Sequence, residues 1–260
     1  MDNSVLDLVK GAPNILGRIY TDLAQPSVKA VGRALGTVFE FSTSFLLPVK
    51  LLNEKFKLNF KKRIAEYEKK LEEIPEDKRC EVHPQVGVPI IEKLSYTTTD
   101  EIADLFTTLL ANASNIDMVN TAHPAFISII ERLSSDEARI IKYLKGKEDI
   151  QYCDFRANSL AVGFDIILEH ANLVNFEVKL DFPNNLNAYL SNLISLGILY
   201  DMNGSTYRID ETVYNRIKEV YQYEQLKKQL VPNTYKSIDV HKSYYKVTAF
   251  GKLFIQACIK

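Results

Sequence analysis

The sequence has only three cysteines, and they are Cys80, Cys153 and Cys258. An odd, scattered set is not a disulfide framework, and it is typical of a reducing compartment. The chain also lacks an excess of charge, because 32 lysines and arginines stand against 33 aspartates and glutamates. This balance excludes a chain-wide attraction to nucleic acid or anionic lipid. The start, MDNSVLDLVKG, lacks the basic and then apolar order of a secretory signal. We therefore expect a cytoplasmic protein.

Familiar catalytic motifs are missing as well. The stretch FGKLF at 250–254 lacks the upstream glycine and the following Ser or Thr of a phosphate-binding loop. No local elbow suggests a Ser-His-acid triad. Cys80 and His83 have a ligand-like spacing, but no second pair completes a zinc site. The sequence therefore predicts no catalytic residue, no metal site and no cofactor, and we expect that the protein is not an enzyme.

One acid-and-lysine pattern is the exception. Asp165, followed by Glu177 and Lys179 in the strand-like stretch NFEVKL, has the residue order of a metal-dependent nuclease core. The parallel strands that such a core needs are not predicted, and Glu-x-Lys is common by chance. A nuclease is therefore a weaker alternative.

Long uncharged runs are also absent. Residues 27–52 have helical apolar spacing and a GxxxG step at 32–36, which lets another helix approach closely. A transmembrane span needs about 20 largely uncharged residues, yet Lys29, Arg33 and Glu40 interrupt this one. We expect a helix that packs on its own protein. The candidate packing residues are Gly32, Gly36, Phe39 and Phe45.

A charged segment follows, basic first and acidic from Glu66 onward. Its basic residues are Lys55, Lys57, Lys61, Lys62 and Arg63. Interleaved aromatic residues would suit nucleic acid or lipid headgroups. Adjoining runs of opposite sign instead favour a solvated, salt-bridged helix face, which is our preferred interpretation.

The middle of the chain has strong helix signals. Ser134 and Glu137 have capping-box spacing, as do Thr98 and Glu101, and Pro124 suits the first turn of a helix. These signals predict helices near 84–95, 99–114, 124–133 and 135–145. Short connections make consecutive helices neighbours, so we expect a four-helix bundle.

The last third resembles a winged helix. A leucine-rich helix at 183–197 precedes a strand near 198–202, and a second strand and a closing helix end the chain around an inserted helix at 211–231. Residues 183–197 contain no Lys or Arg, so this helix is not expected to bind DNA. We predict a mainly α fold. Its domains are N-terminal long helices at 1–78, the bundle at 79–147, and a winged-helix-like α+β domain at 148–260.

The order of these segments resembles the abortive infection alpha (Abi-alpha) family. The blocks that carry the resemblance include QPSVKAVGRALGTVFEF, VGVPIIEKLSYTTTDEIADLFTTLLANASN, HPAFISIIERLSSDEARIIKYL and YLSNLISLGIL, between about residues 20 and 258. The resemblance implies a bacterial role in defence against bacteriophage, and it supplies no catalytic residues. His123 and Pro124, with Phe126 after them, match the His-Pro step of the family, which we explain as a helix start.

The sequence and the resemblance together predict a non-enzymatic defence component that acts through protein–protein contact. The partner would be a phage or host protein, and the chain is a candidate homo-oligomer. The alternative is a membrane-active toxic effector that uses the apolar helix at 27–52 and contacts the membrane only on activation. A nucleic-acid binder or nuclease is the weaker alternative.

Overall fold

The computed structural model describes residues 54–203, 206–231 and 234–260, with side chains from residue 58 onward. This part of the chain contains ten α-helices and one four-stranded sheet. The helices are α1 (Glu54–Glu72), α2 (Pro84–Leu94), α3 (Asp100–Ala113), α4 (Ala125–Ile130), α5 (Ser135–Tyr143), α6 (Val174–Glu177), α7 (Leu186–Ser195), α8 (Thr212–Val220), α9 (Tyr223–Leu230) and α10 (Ala249–Cys258). The strands are β1 (Asp149–Ser159), β2 (Phe164–Asn172), β3 (Leu199–Asp201) and β4 (Tyr235–Val247).

The chain divides into two compact units, Met1–Ala138 with Leu253–Lys260, and Arg139–Lys252. The described part of the first unit is helical. Phe60, Ile64, Tyr67 and Leu71 recur at helical spacing on α1, and all four are almost completely buried. This stripe packs on α3, which also contacts α2 and α4.

The second unit is built on the sheet, whose order is β2-β1-β4-β3 with every pair antiparallel. One face of the sheet is apolar. Cys153, Phe155 and Ala157 of β1 pack there with Tyr214 and Ile217 of α8. Because side chains alternate along a strand, the neighbouring positions of β1 lie on the opposite face.

The predicted mainly α class is wrong, since the described chain is an α+β fold with an antiparallel sheet. The sequence reading missed β1 and β2. Tyr152, Cys153, Asp154 and Phe155 of β1 are all buried, so this strand has both faces covered at its centre and lacks an apolar–polar alternation. Conversely, the strand-like stretch at 175–180 begins inside the short helix α6.

The predicted four-helix bundle is also wrong, although α2 to α5 lie where helices were expected. The sequence predicts α1 as part of a separate N-terminal region, but this helix packs along α3. Consecutive helices do contact each other, as α3 does with α2 and α4, but the apolar stripe of α1 adds a partner that the predicted bundle lacked. The domain boundaries at 78/79 and 147/148 stay predictions.

The winged-helix outline needs the same correction. β3 pairs with β4 over three residues, Leu199 to Asp201, as the second strand of a wing would. However, β4 continues through 13 residues and pairs along its length with β1. The inserted segment forms two helices, α8 and α9, which cover the apolar face of the sheet. β3 is thus one edge of a larger sheet.

Candidate functional site

The middle of the sheet face opposite α8 and α9 is polar and is the strongest candidate site in the described chain. Asp154 of β1 lies directly opposite His241 of β4, and His170 lies in the irregular part of β2 beside Asp154. Asp201 of β3 pairs with Tyr245 of β4 on the same face. Three adjacent strands therefore place His170, Asp154 and His241 in a row.

Asp154 is a buried carboxylate with several partners. Its Oδ1 accepts a hydrogen bond from the backbone N–H of His170 at 2.9 Å, and its Oδ2 accepts one from Nη2 of Arg156 at 3.0 Å. Nδ1 of His241 lies 3.8 Å from the same Oδ2. A buried charge needs such compensation, because desolvation without partners is costly.

His170 has a left-handed backbone conformation, with φ of 51°. Non-glycine residues adopt this conformation rarely, and it is found preferentially at functional sites. The bond from its N–H to Asp154 holds the backbone in place. Its Nδ1 shares a hydrogen bond of 2.6 Å with the hydroxyl of Tyr245, so both the backbone and the ring of His170 are positioned.

Two tyrosines form the deep end of this face. The hydroxyl of Tyr152 donates to Oδ1 of Asp201 at 2.7 Å, and the ring of Tyr152 lies 4.6 Å from that of Tyr245. Burial raises the pKa of both phenols above the ordinary value. They are therefore neutral hydrogen-bonding groups at physiological pH.

Sequence reasoning missed this site although a signal was present. In β4, Ile238 and Val240 alternate with Asp239 and His241, which is the period of a half-buried strand. The predicted final strand began later, within the SYYKV stretch, so His241 stayed outside it. Asp154 had no comparable signal, because its partners come from other strands.

The proposed nuclease-like residues lie elsewhere, and only two of them come together. Glu177 and Lys179 line a cleft of about 520 Å³. Glu177 accepts hydrogen bonds from the hydroxyl of Tyr143 at 2.6 Å and from Arg216 at 2.8 Å. Asp165 accepts from the hydroxyl of Tyr235 at 2.9 Å and does not line this cleft. Within the described ranges, no three His, Cys, Asp or Glu residues are grouped so that they could hold a metal ion.

The basic segment of α1 is engaged in ion pairs where its side chains are described. Arg63 is fully buried, and its Nη2 lies 2.7 Å from Oδ1 of Asp100. Nζ of Lys62 lies 2.8 Å from the same oxygen. Together these contacts hold the pKa of Asp100 below its ordinary value, and the contact with Lys62 has the largest effect. Lys61 is exposed on this helix, and the side chains of Lys55 and Lys57 are not described.

The His-Pro step lies at the start of α4. Nδ1 of His123 accepts a hydrogen bond from the backbone N–H of Ala125 at 3.1 Å. Phe126 is completely buried, and its ring meets that of Phe254 edge to face at 5.1 Å. This geometry fits a role in starting and anchoring the helix. The other packing candidates, Gly32, Gly36, Phe39 and Phe45, lie outside the described residues.

Exposed apolar residues are concentrated at the hairpin between β1 and β2. Four residues at alternate positions form this hairpin surface, and each is between 49% and 96% exposed. They are Leu160, Val162, Phe164 and Ile166. β2 is an edge strand of the sheet, so its outer backbone groups are also available for pairing.

The comparisons with known proteins follow the resemblance seen in the sequence. The family described as Abortive infection alpha matches residues 52–258, which confirms the resemblance. No curated protein matches the chain. Among solved structures, the chain is similar to an uncharacterized protein from the hydrocarbon-degrading marine bacterium Alcanivorax borkumensis SK2. The identity is 12%, the match covers 52% of this chain and 92% of that one, and the TM-score of 0.33 is too low to support an argument.

Proposed function

Because the chain belongs to the abortive infection alpha family, we propose that it acts in bacterial defence against phage by binding another protein. The family match over residues 52–258 carries the defence role. It identifies neither the partner nor the surface that binds this partner.

The hairpin surface is our candidate for that contact. Single exposed apolar residues are common, but contiguous apolar patches on soluble proteins usually mark interaction sites. Val162 is 96% exposed and Leu160 is 66% exposed, so neither contributes much to the core of the protein itself. Phe164 and Ile166 extend the hairpin surface along the free edge of β2. Such an edge suits a partner that presents an extended apolar segment.

A phage-challenge experiment tests this proposal. We expect that Leu160→Glu together with Val162→Glu abolishes protection, so that plaque counts rise to those of cells without the gene. The charges would be desolvated in the contact but remain hydrated in the free protein. Circular dichroism should show an unchanged fold, because substitutions at exposed positions usually alter stability by less than about 0.5 kcal/mol.

A matched control is Ile209→Glu, since Ile209 is 92% exposed and lies outside the hairpin surface. This variant should protect cells like the wild type. Affinity capture from infected cells should recover a phage or host protein with the wild type and with Ile209→Glu, but not with the double variant. Full protection by the double variant would contradict the proposed contact.

A further inference from the structure

The row of His170, Asp154 and His241 has the parts of an acid–base site. Two strand spacings of about 4.8 Å each separate the backbones of the two histidines, and Asp154 lies between them. Nδ1 of His170 is engaged by Tyr245, and Nδ1 of His241 faces the Asp154 carboxylate. Nε2 of His170 lies 3.9 Å from Oε1 of the exposed Glu169, which is beyond hydrogen-bond distance. In each ring, Nε2 is therefore the nitrogen that a ligand would contact.

This face becomes more open from Tyr152 and Tyr245 toward the histidines. Tyr152 and Tyr245 are buried, whereas the side chain of His241 is 36% exposed. Nδ1 of His241 is nevertheless buried and has no hydrogen-bond partner within the described part of the chain. The exposed area of the His241 ring therefore lies on atoms other than Nδ1, and a ligand would contact the ring there.

A cation follows Asp154 on this face, and an exposed aromatic ring lies further along it, where Phe164 pairs with Asn158. Arg156 follows Asp154 on the same face of β1, and its guanidinium lies 5.2 Å from the ring centroid of Phe164. Its Nε is buried and has no hydrogen-bond partner in the described chain, and its Nη2 is bonded to Asp154. Arginine binds phosphate oxygens well, and exposed aromatic rings stack on bases of single-stranded nucleic acid.

We infer that this face binds single-stranded RNA and cleaves its phosphodiester backbone through His170 and His241. An acid, a base and a cation are sufficient when the substrate carries its own nucleophile, and the 2′-hydroxyl of RNA is such a nucleophile. Arg156 donates a hydrogen bond to a phosphate oxygen while it stays paired with Asp154, and Phe164 stacks on a base away from the cleaved phosphate. The helix 183–197, which is not expected to bind DNA because it contains no Lys or Arg, takes no part.

The reaction is an internal transfer. One imidazole takes the proton of the 2′-hydroxyl, and the 2′-oxygen forms a bond to phosphorus. The bond from phosphorus to the 5′-oxygen breaks, and the second imidazole, in its protonated form, donates a proton to that oxygen. The products are a 2′,3′-cyclic phosphate end and a 5′-hydroxyl end, and no co-reactant is consumed.

The carboxylates on this face are held by partners of their own, among which Arg156, beside Asp154, carries a full positive charge. Asp154 is bonded to Arg156 and to the N–H of His170. Asp201 accepts from Tyr152 and from the N–H of Asn203, and Asp239 accepts from Asn158. Glu169 lies 3.9 Å from Nε2 of His170 and pairs with that ring when it is protonated.

The test uses the purified full chain, a labelled single-stranded RNA oligonucleotide and its DNA counterpart, with EDTA present to silence contaminating metal-dependent nucleases. We expect cleavage of the RNA, with cyclic phosphate ends, and no cleavage of the DNA. His241→Gln and His170→Asn should each lower the rate by about 100-fold or more. Asparagine tolerates the left-handed conformation at position 170, so the fold is kept.

The matched control is His83→Asn, because Nδ1 of His83 only accepts the N–H of Gln85 at a helix start, a role that asparagine also fills. This variant should cleave RNA like the wild type, and thermal melts should show that all variants fold. Intact RNA with the wild type would overturn the inference. So would cleavage at the wild-type rate by either His241→Gln or His170→Asn, or cleavage of DNA at the same rate as RNA. Phe164 belongs to both surfaces, but the phage-challenge test changes only Leu160 and Val162, so failure of the RNA cleavage assay leaves that test unaffected.

Discussion

Tyr67 shows how a single buried residue couples the helical unit to pH. Its ring is completely buried, and its hydroxyl shares a hydrogen bond of 2.8 Å with Oγ of Ser114. Burial raises the pKa of Tyr67 to about 12, and the bond to Ser114 offsets a part of this effect. The neutral phenol is thus the form that the folded protein holds.

This shift predicts a loss of stability in alkali. An unfolded tyrosine has a pKa of about 10. The contribution of Tyr67 to the free energy of unfolding is therefore complete below pH 10, and it is lost as the pH rises through 12. At about pH 11, ionisation of Tyr67 in the unfolded chain should lower the free energy of unfolding by about 1.4 kcal/mol. Tyr67→Phe cannot ionise, but it should cost about 1 kcal/mol at about pH 8, because the hydrogen bond is lost.

Urea unfolding of the wild type and Tyr67→Phe at these two pH values measures the effect. The variant should be less stable at the lower pH, and the difference should vanish at the higher pH. Tyr200→Phe is the control. Because Tyr200 is exposed, loss of its hydroxyl should leave the pH dependence of the free energy of unfolding unchanged. A constant difference between the wild type and Tyr67→Phe would contradict the prediction.

At the scale of elements, the start of α10 is fixed by a close backbone contact. Thr248 donates its N–H to the carbonyl of Ile198 at 3.0 Å, and its hydroxyl accepts the N–H of Gly251 at 2.8 Å. A Cβ atom on Gly251 would lie 2.3 Å from the oxygen of Ile198. Only glycine fits at this point, because the obstacle is backbone and cannot move aside as a flexible side chain would.

Gly251→Ala should therefore destabilise the protein, although alanine is the better helix former by about 1 kcal/mol. Overpacking against backbone typically costs about 1–3 kcal/mol, and we expect the upper part of this range. Thermal or urea unfolding measures it. Gln256→Ala, at an exposed position of the same helix, should change stability by less than about 0.5 kcal/mol. A stabilised Gly251→Ala would show that the contact with Ile198 is not as close as described.

The elements also differ in how far the sequence predicts them. α5 begins as expected, since the backbone N–H of Ser134 donates to Glu137 at 2.6 Å and Oγ of Ser134 accepts the N–H of Glu137 at 3.3 Å. Capping and helical periodicity are local, so they can be read from adjacent residues. β1 was missed, because both of its faces are buried at the centre and its partners lie in other parts of the chain.

At the scale of the whole molecule, the even charge balance bears on the membrane-active alternative. The chain has 32 basic and 33 acidic residues, and Lys62 and Arg63 of the basic segment are paired with Asp100. No helix of the described residues is long and apolar enough to cross a membrane. The apolar stretch 27–52 lies outside the described residues, so only an experiment on the full chain tests it.

We expect that the full chain stays unbound when it is floated with vesicles that contain anionic lipid, because no net positive charge attracts it to that surface. A chain without residues 1–53 is the control, since α1 begins at Glu54 and its buried stripe is kept. Flotation of the full chain, lost in the shortened one, would favour the membrane-active effector over our proposal.

The sequence by itself determined where most helices of the first unit begin and end, and it identified the family. These properties depend on caps, on periodic apolar residues and on the order of blocks along the chain. Only the tertiary structure decided that the fold is α+β and that His170, Asp154 and His241 meet. Strand pairing joins residues far apart in sequence, and neither Asp154 nor His241 has a neighbour along the chain that indicates its partner.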